Sequence, residues 1–570
     1  MKTISAFLNT LIFHIGGLLG RHFCRNYFSK ANNGKKVSEK TLLKIIKKNK
    51  NTEYGKKYNF SKIKTIEDYQ KNAPLSLYED YMDYIERSKK GETNLLTRKK
   101  IKKYATTSGT TGIKKYIPQS TTTAITYFKL ICIYVNQCLD ALKSRKISTF
   151  NVKGFCDIEI TDNQKKDGGE YSSSIISTYA VGSVKVFVPI FTQIPADVIG
   201  CGEIEDKEYI RSRYALQIRD IKFISGVFMS TIAFSIEYIK RNMEMLIDDI
   251  EKGTINPNIK MSDSIRKKLI SKLRPDPVRA AELRDILNNP TDEPFISRLW
   301  PEMSFVFAIG TGDFEPFTKD VLNQCEKDIT VCHSVYAATE ALMAFAIKPN
   351  EASYLPLVDS VFFEFRPAEE EHSDRLLLIN ELEVGKLYEV IITTKSGLYR
   401  YQLRDVVRVV AYQGETPLIR FAYRANLVTN IWGIHVTNDD VLEAIKKLEN
   451  EYGLNTIGFS IYANSESADS HLKLFIEFDE NLDKEIVKSI EKSFENNIYH
   501  LNTAYAYSRD VGQLESAQVY LLKKNTYFNY RQTELEHGAS SNQLKTPRTI
   551  KDEDTLTYFK SCVLYHDDNL

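Results

Sequence analysis

Residues 104–118 read Tyr104-Ala105-Thr106-Thr107-Ser108-Gly109-Thr110-Thr111-Gly112-Ile113-Lys114-Lys115-Tyr116-Ile117-Pro118. Hydroxyls and glycines crowd together here and then give way to lysines. Glycines let backbone N–H groups approach an anion closely, hydroxyls donate further hydrogen bonds, and a lysine supplies compact positive charge. The stretch therefore reads as a loop for holding phosphates, with an ordinary polar surface loop as the alternative. Two better-known loops fail on spacing. A P-loop needs four residues between its first glycine and a Gly-Lys-Ser/Thr, whereas Gly109 and Gly112 are too close and Tyr116 follows Lys115. A hydrolase nucleophile elbow needs Gly-x-Ser-x-Gly, and Thr106 stands two residues before Ser108.

Outward from this loop, the chain has 570 residues, enough for a large core and for two to four domains or subdomains on a prior of about 100 to 200 residues each. A hydrophobic share of 42% with 26% charged residues describes a globular protein. The formal net charge of +3 gives no overall basic bias toward nucleic acid, and the lysine runs Lys35-Lys36 and Lys47-Lys48 read as solvated faces. Eight cysteines are scattered without a Cys-x-x-Cys pair, which favours a reducing, cytoplasmic compartment. No histidine sits at zinc-ligand spacing from another histidine or a cysteine. Ile4 to Gly20 is apolar apart from Ser5, Asn9, Thr10 and His14, and Arg21 and Arg25 follow. That is too short and interrupted for a transmembrane helix, and most of its basic residues come after the apolar run, opposite to a signal peptide. The segment 1–36 reads as an N-terminal helix and basic stretch lying on the body of the protein, with a membrane anchor or signal peptide as the alternative.

Residues 37–98 have a polar, helical pattern with Leu42, Leu43, Ile45 and Ile46 spaced for one buried face. Ala124 to Leu142 is apolar nearly all round, predicting a fully buried helix. Short β-branched and aromatic runs at 184–188, 223–229, 304–309, 360–365 and 388–393 interleave with helical stretches such as 236–250, which favours an α/β core. After Arg424 six elements follow: strand 430–436, helix 439–450, strand 456–462, strand 472–478, helix 483–498 and strand 518–522. That order is β-α-β-β-α-β, a compact α+β unit, so a smaller C-terminal domain over 425–570 is expected after a large domain over 37–424.

Three further clusters carry candidate chemistry. Tyr336-Ala337-Ala338-Thr339-Glu340 follows an apolar run, where α/β sheets place ligands. Its ring could flank a base, its hydroxyl reach a phosphate and its carboxylate hold magnesium. The same residues would equally make a helix start with Thr339 as N-cap. In Gly397-Leu398-Tyr399-Arg400-Tyr401-Gln402-Leu403-Arg404-Asp405-Val406-Val407, Asp405 could accept both hydroxyls of a ribose or serve as a turn residue paired with an arginine. Arg424 lies at the expected domain junction and could grip a phosphate or ribose. The third cluster, His537-Gly538-Ala539-Ser540-Ser541-Asn542-Gln543-Leu544-Lys545-Thr546-Pro547-Arg548, puts Lys545 on a polar loop able to swing into a distant site, or merely exposed.

Thr107 to Lys115 resembles the phosphate loop of acyl-adenylate-forming enzymes, with Lys114 where a proline is usual. In combination the clusters resemble one branch of that superfamily, the auxin-responsive acyl acid amido synthetases. The runs 336–340, 397–407 and above all 538–548 carry the likeness, which extends from about residue 37 to 550. The resemblance implies a large N-terminal adenylation domain, a mobile C-terminal domain and an ATP- and Mg2+-dependent two-step ligase, with a small carboxylic acid and an amino acid as substrates. Nothing in the sequence suggests an obligate interface, so a monomer is expected. It implies that Ser108, Gly109, Thr110, Thr111, Gly112 and Lys115 hold phosphates, and Thr339 the α-phosphate. Glu340 would hold magnesium, Asp405 the ribose, and Tyr336 and Arg424 would contact the nucleotide, while Lys545 enters from the small domain. Three positions depart from the family pattern: the loop is shorter than in plant members, Arg404 replaces a glycine beside the nucleotide, and Asn426 replaces a hinge aspartate. An acyl ligase with a thiol acceptor such as coenzyme A, and a catalytically silent nucleotide-binding relative, are the competing readings.

Overall fold

The computed structural model describes residues 2–108, 114–157, 164–166, 169–172, 192, 195, 204, 206–369, 375–425, 429–431, 434–463, 471–537, 544 and 546–565. The apolar run 184–188 lies outside them. The chain divides into two compact units. Met1–Gly310, Val321–Leu403 and Val407–Arg420 make the first, and Thr311–Asp320, Arg404–Val406 and Phe421–Leu570 the second.

The first unit contains a parallel sheet in the order Lys153–Asp157, Ile221–Phe228, Phe305–Ile309, Thr330–Cys332. Parallel strands need crossover connections, and here helix Lys207–Leu216 leads into the second strand while Met229–Arg241 leaves it. Every residue of Lys153–Asp157 is buried, as expected of a strand covered on both faces. A larger sheet has the order Val361–Pro367, Leu387–Thr394, Tyr401–Gln413, Thr416–Arg424, Tyr354–Pro356, Leu342–Ala346, Val335–Ala337. The alternation of strand runs and helices thus builds the expected α/β architecture.

Two helical expectations need correction. The apolar stretch 124–142 is a helix, Thr121–Ser144, but Ile125 and Phe128 are exposed, so it is not buried all round. The stretch 236–250 is two helices, Met229–Arg241 and Met243–Lys252, broken at Asn242. The Asn242 side chain donates to the Tyr238 carbonyl at 3.0 Å, the local competition that makes asparagine a poor helix-interior residue.

The N-terminal helix, Lys2–Ala31, lies along Thr121–Ser144. Gly20 makes this close approach feasible, because a Cβ there would stand 1.9 Å from the Cys132 carbonyl oxygen. Buried Asn9 donates to the Val152 carbonyl at 2.9 Å, and buried Phe13 packs against Phe223.

The second unit keeps five of the six expected elements in place: Asn438–Tyr452, Thr456–Tyr462, Lys473–Phe478, Ile486–Leu501 and Gln518–Leu522. The sixth is corrected. The run 430–436 folds back on itself, with Thr429–Ile431 pairing antiparallel to Ile434–Val436, and takes no place in the four-stranded sheet. That sheet runs Thr456–Tyr462, Lys473–Phe478, Gln518–Leu522, Val563–Tyr565, so the extreme C-terminus supplies the last strand. Val441, Ile445, Leu448, Ile490 and Phe494 from its helices pack on Phe459, Leu474, Ile476 and Val519 from its strands.

Candidate functional site

The phosphate-loop stretch begins and ends on a β-hairpin. Strands Lys103–Ser108 and Lys114–Gln119 pair in register from Lys103↔Gln119 to Ser108↔Lys114. Gly109, Thr110, Thr111 and Gly112 lie outside the described residues, so the loop is known here by its two anchors. Ser108 closes the first strand, and Lys115 stands half-buried on the second with its Nζ 5.1 Å from the centre of the Tyr78 ring. The Tyr78 hydroxyl accepts from the Tyr116 N–H at 2.8 Å, which ties the strand to the preceding helical segment.

Thr339 and Glu340 form the tip of a second hairpin in the same unit. Ala338 and Ala341 exchange both backbone hydrogen bonds, at 3.0 and 3.2 Å, between strands Val335–Ala337 and Leu342–Ala346. The helix start that these residues also allowed is therefore not formed, because strand pairing on both sides claims the backbone. Tyr336 is buried on the first strand with its ring 6.4 Å from that of Tyr354.

Long-range hydrogen bonds then join three of the motifs read from the sequence. Gln119, the last residue of the phosphate-loop hairpin, donates its Nε2 to the Thr339 carbonyl at 2.8 Å. Tyr401, from the 397–407 motif, donates its hydroxyl to Glu340 Oε1 at 3.2 Å. Burial pushes the Tyr401 phenol well above its ordinary range and the neighbouring carboxylate raises it further, so it remains a donor at any working pH. A cavity of about 30 Å3 adjoins Glu340, lined among others by Ser120, Thr122, Thr126, Thr394 and Lys395. The sequence reading gives neither Gln119 nor Tyr401 a role. Tyr401 stands inside the 397–407 motif and Gln119 directly follows the 104–118 stretch, but their partners lie 61 and 220 residues away.

The remaining candidates belong to the second unit. Asp405 is buried, and Arg424 Nε donates to its Oδ1 at 2.7 Å, with a third of the arginine side chain exposed. Asp405 stands within strand Tyr401–Gln413 and not in a turn, so of that alternative only the pairing with an arginine is observed. Arg404 has φ of +64°, in the left-handed region. Glycine adopts that conformation without a Cβ penalty, which is a physical reason for a glycine in this motif. Lys545 lies outside the described residues, but the run that follows it is anchored: Ile461 N–H donates to the Arg548 carbonyl at 2.8 Å, and the Arg548 guanidinium lies 4.2 Å from the Phe459 ring centre.

Comparison with known families supplies the identity of this arrangement. Residues 25–328 match the GH3 family N-terminal domain, 354–424 the GH3 family central domain, and 439–554 the GH3 family C-terminal domain. The chain belongs to the GH3 family. Relatives within it include the indole-3-acetic acid-amido synthetase GH3.4 of Arabidopsis thaliana, 24% identical over 90% of this chain and 89% of that protein. The jasmonoyl–L-amino acid synthetase JAR4 of Nicotiana attenuata is 25% identical over 90% of this chain and 91% of its own length. Among solved structures, the GH3.15 acyl acid amido synthetase superposes with a TM-score of 0.82 at 22% identity, covering 94% of this chain and 96% of that one. A 2-hydroxyisobutyryl-CoA ligase in its postadenylation state gives 0.51 at 11% identity, covering 92% and 91%. This GH3 protein therefore has the adenylate-forming fold, its relatives are amido synthetases, and ATP-dependent acyl adenylation followed by amide formation fits that membership. Its Thr339–Glu340 tip lies between the first two matched stretches.

Proposed function

We propose that this GH3 protein joins a small carboxylic acid to an amino acid through an acyl-adenylate. In the first step a carboxylate oxygen of the acid attacks the α-phosphorus of ATP, the bond to the bridging oxygen breaks, and pyrophosphate leaves. In the second the amine nitrogen attacks the acyl carbon, the bond to the phosphate oxygen breaks, AMP leaves with the electron pair, and the amine loses a proton to solvent. Neither step needs an enzymic nucleophile, so the protein contributes positioning and charge stabilisation.

The observation that carries this reading is the hydrogen bond from Tyr401 to Glu340, which fixes a carboxylate at the tip of a hairpin tied by Gln119 to the phosphate-loop strands. Ser108, Gly109, Thr110, Thr111, Gly112 and Lys115 would hold the phosphates and Thr339 the α-phosphate. Magnesium on ATP keeps several waters and takes one or two protein carboxylates, which suits a lone Glu340 better than a dedicated cage. Among the described residues no cluster of three or more metal-ligating side chains exists. Tyr336 and Arg424 would face the nucleotide, and Asp405 would bind the ribose. Lys545 would enter from the C-terminal domain to stabilise developing charge. The buried free thiols of Cys132, Cys138, Cys156, Cys325 and Cys332 support a reducing, cytoplasmic setting, and a monomer is the proposed working form.

The test is AMP and pyrophosphate release from magnesium-ATP against pooled aromatic, indolic and fatty acids, with and without pooled amino acids. Acid-dependent AMP release that rises with amino acids is expected. Stimulation by coenzyme A in their place would transfer the protein to the thiol-acceptor ligases, and nucleotide binding without turnover in any pool would mark a silent relative.

A further inference from the structure

The outward face of the N-terminal helix is apolar where a protein surface is ordinarily polar. Ile4, Phe7, Leu8, Leu11, Ile15, Leu18 and Leu19 are all exposed, Ile4 by 73%, Phe7 by 66% and Leu18 by 65%. At 100° per residue they form one stripe, opposite the buried face of Asn9, Phe13, Gly17, Gly20 and Tyr27 that docks the helix. Phe150, itself half exposed, extends the patch, because the next residue's N–H donates to Thr10 Oγ1 at 2.9 Å. A contiguous patch of this kind marks an interaction surface.

Charge decides the partner. The outward face continues beyond Leu19 as exposed Arg21, His22 and Arg25, and Lys129 of the neighbouring helix lies 5.8 Å from the Phe23 ring centre. The first acidic residue of the chain is Glu39, whereas Lys2, Arg21, Arg25, Lys30, Lys35 and Lys36 precede it. Exposed Asp140 of the neighbouring helix stands 4.0 Å from Arg21, but the helix itself adds only cationic side chains, and an apolar stripe with such an extension is complementary to a bilayer surface bearing anionic headgroups. A second copy packed stripe to stripe would bring no acidic side chain from this helix to meet the arginines.

The packing also decides the mode. The helix over Ile4–Ala31 is long and apolar enough to cross a membrane by length and composition, but its exposed apolar stripe, Ile4 to Leu19, covers only about 24 Å at ~1.5 Å per residue, short of the roughly 30 Å hydrocarbon core. The opposite face is committed to the protein through Asn9, Phe13 and Gly20. We infer that the Lys2–Ala31 helix is a built-in, in-plane anchor that docks this protein reversibly on an anionic membrane surface by inserting Phe7, Leu11, Ile15 and Leu18. The stripe precedes residue 25, where the family match begins, so it is a property of this chain rather than of the matched domains. The inference is independent of the ligase reading.

Flotation of the full-length protein with phosphatidylcholine vesicles, with and without about a third phosphatidylserine, tests it. The protein is expected to float with the anionic vesicles, and 0.5 M salt to release most of it. The triple variant Phe7→Glu/Leu11→Glu/Leu18→Glu should lose flotation with a nearly unchanged melting temperature, because those side chains are exposed and lie opposite the buried docking face. Arg21→Glu/Arg25→Glu should weaken it more than about tenfold, while Val278→Glu, at an exposed apolar position outside the patch, should not affect it. No flotation on anionic vesicles, or undiminished flotation of the triple variant, overturns the inference. So does resistance to alkaline carbonate extraction, which would show a spanning helix. Concentration-dependent dimerisation abolished by the triple variant, without vesicle binding, would assign the face to a second copy instead.

Discussion

The two halves of the motif Gly397 to Val407 put the same kinds of side chain to opposite uses. In the first half Gly397 has φ of +103° and a Cβ there would meet Leu96 at 2.7 Å, so only glycine fits. Tyr399 stacks on Tyr54 at 4.8 Å and donates its hydroxyl to the Leu96 carbonyl. Arg400 is committed to the interior: its Nε meets both oxygens of buried Glu364 at 3.1 and 3.2 Å, and its Nη1 donates to the carbonyls of Ala73 and Gln70. In the second half Asp405 meets Arg424, whose side chain is one-third exposed. An arginine–carboxylate pair buried on both sides is architecture; one whose arginine reaches solvent is open to a ligand. Tyr401, between the halves, belongs to both, being buried and yet aimed at Glu340.

That contrast can be broken at four points. The largest effect is expected from Arg400→Ala, which strands Glu364 as a buried charge and should cost about 3–5 kcal/mol in stability by denaturant titration. A variant of normal stability but poor turnover would move Arg400 to the functional half. Glu340→Gln should leave the melting temperature near that of the parent and slow acid-dependent AMP release by about 10²–10³-fold. A parental rate would remove Glu340 from the site. Asp405→Asn keeps the shape and should raise KM for ATP by roughly tenfold with little loss of stability; an unchanged KM accompanied by a large stability loss would make this pair architectural too. The smallest effect is predicted for Arg404→Gly, which relieves a left-handed non-glycine residue and should add about 1 kcal/mol of stability. If it also switched on turnover absent from the parent, the silent-relative reading would hold for the natural sequence.

Local chemistry made much of this protein legible in the sequence. Strand period and helix period carried most elements of the second unit, because alternation and 3.6-residue spacing are properties of neighbouring residues. Gln518–Leu522 appears as expected, and the phosphate-loop, Thr339–Glu340 and Asp405 stretches announced themselves through residue types at short spacing. The apolar run 4–20 is legible as a helix lying on the body of the protein, but only the structure shows which of its apolar residues stay exposed. What the sequence could not supply were partners, since these depend on which strands pair and which helices dock. Only the sheet put Tyr401 against Glu340 across 61 residues, sent Arg400 inward to Glu364, and left Arg424 to Asp405. The run 430–436 failed as a sheet strand for the same reason: a short β-prone segment will pair with itself when its hairpin closes first, and nothing in its own residues says which edge it will find. Composition chose the elements and tertiary contact chose their neighbours, because propensity acts over a few residues while burial and hydrogen-bond pairing are settled across the whole chain.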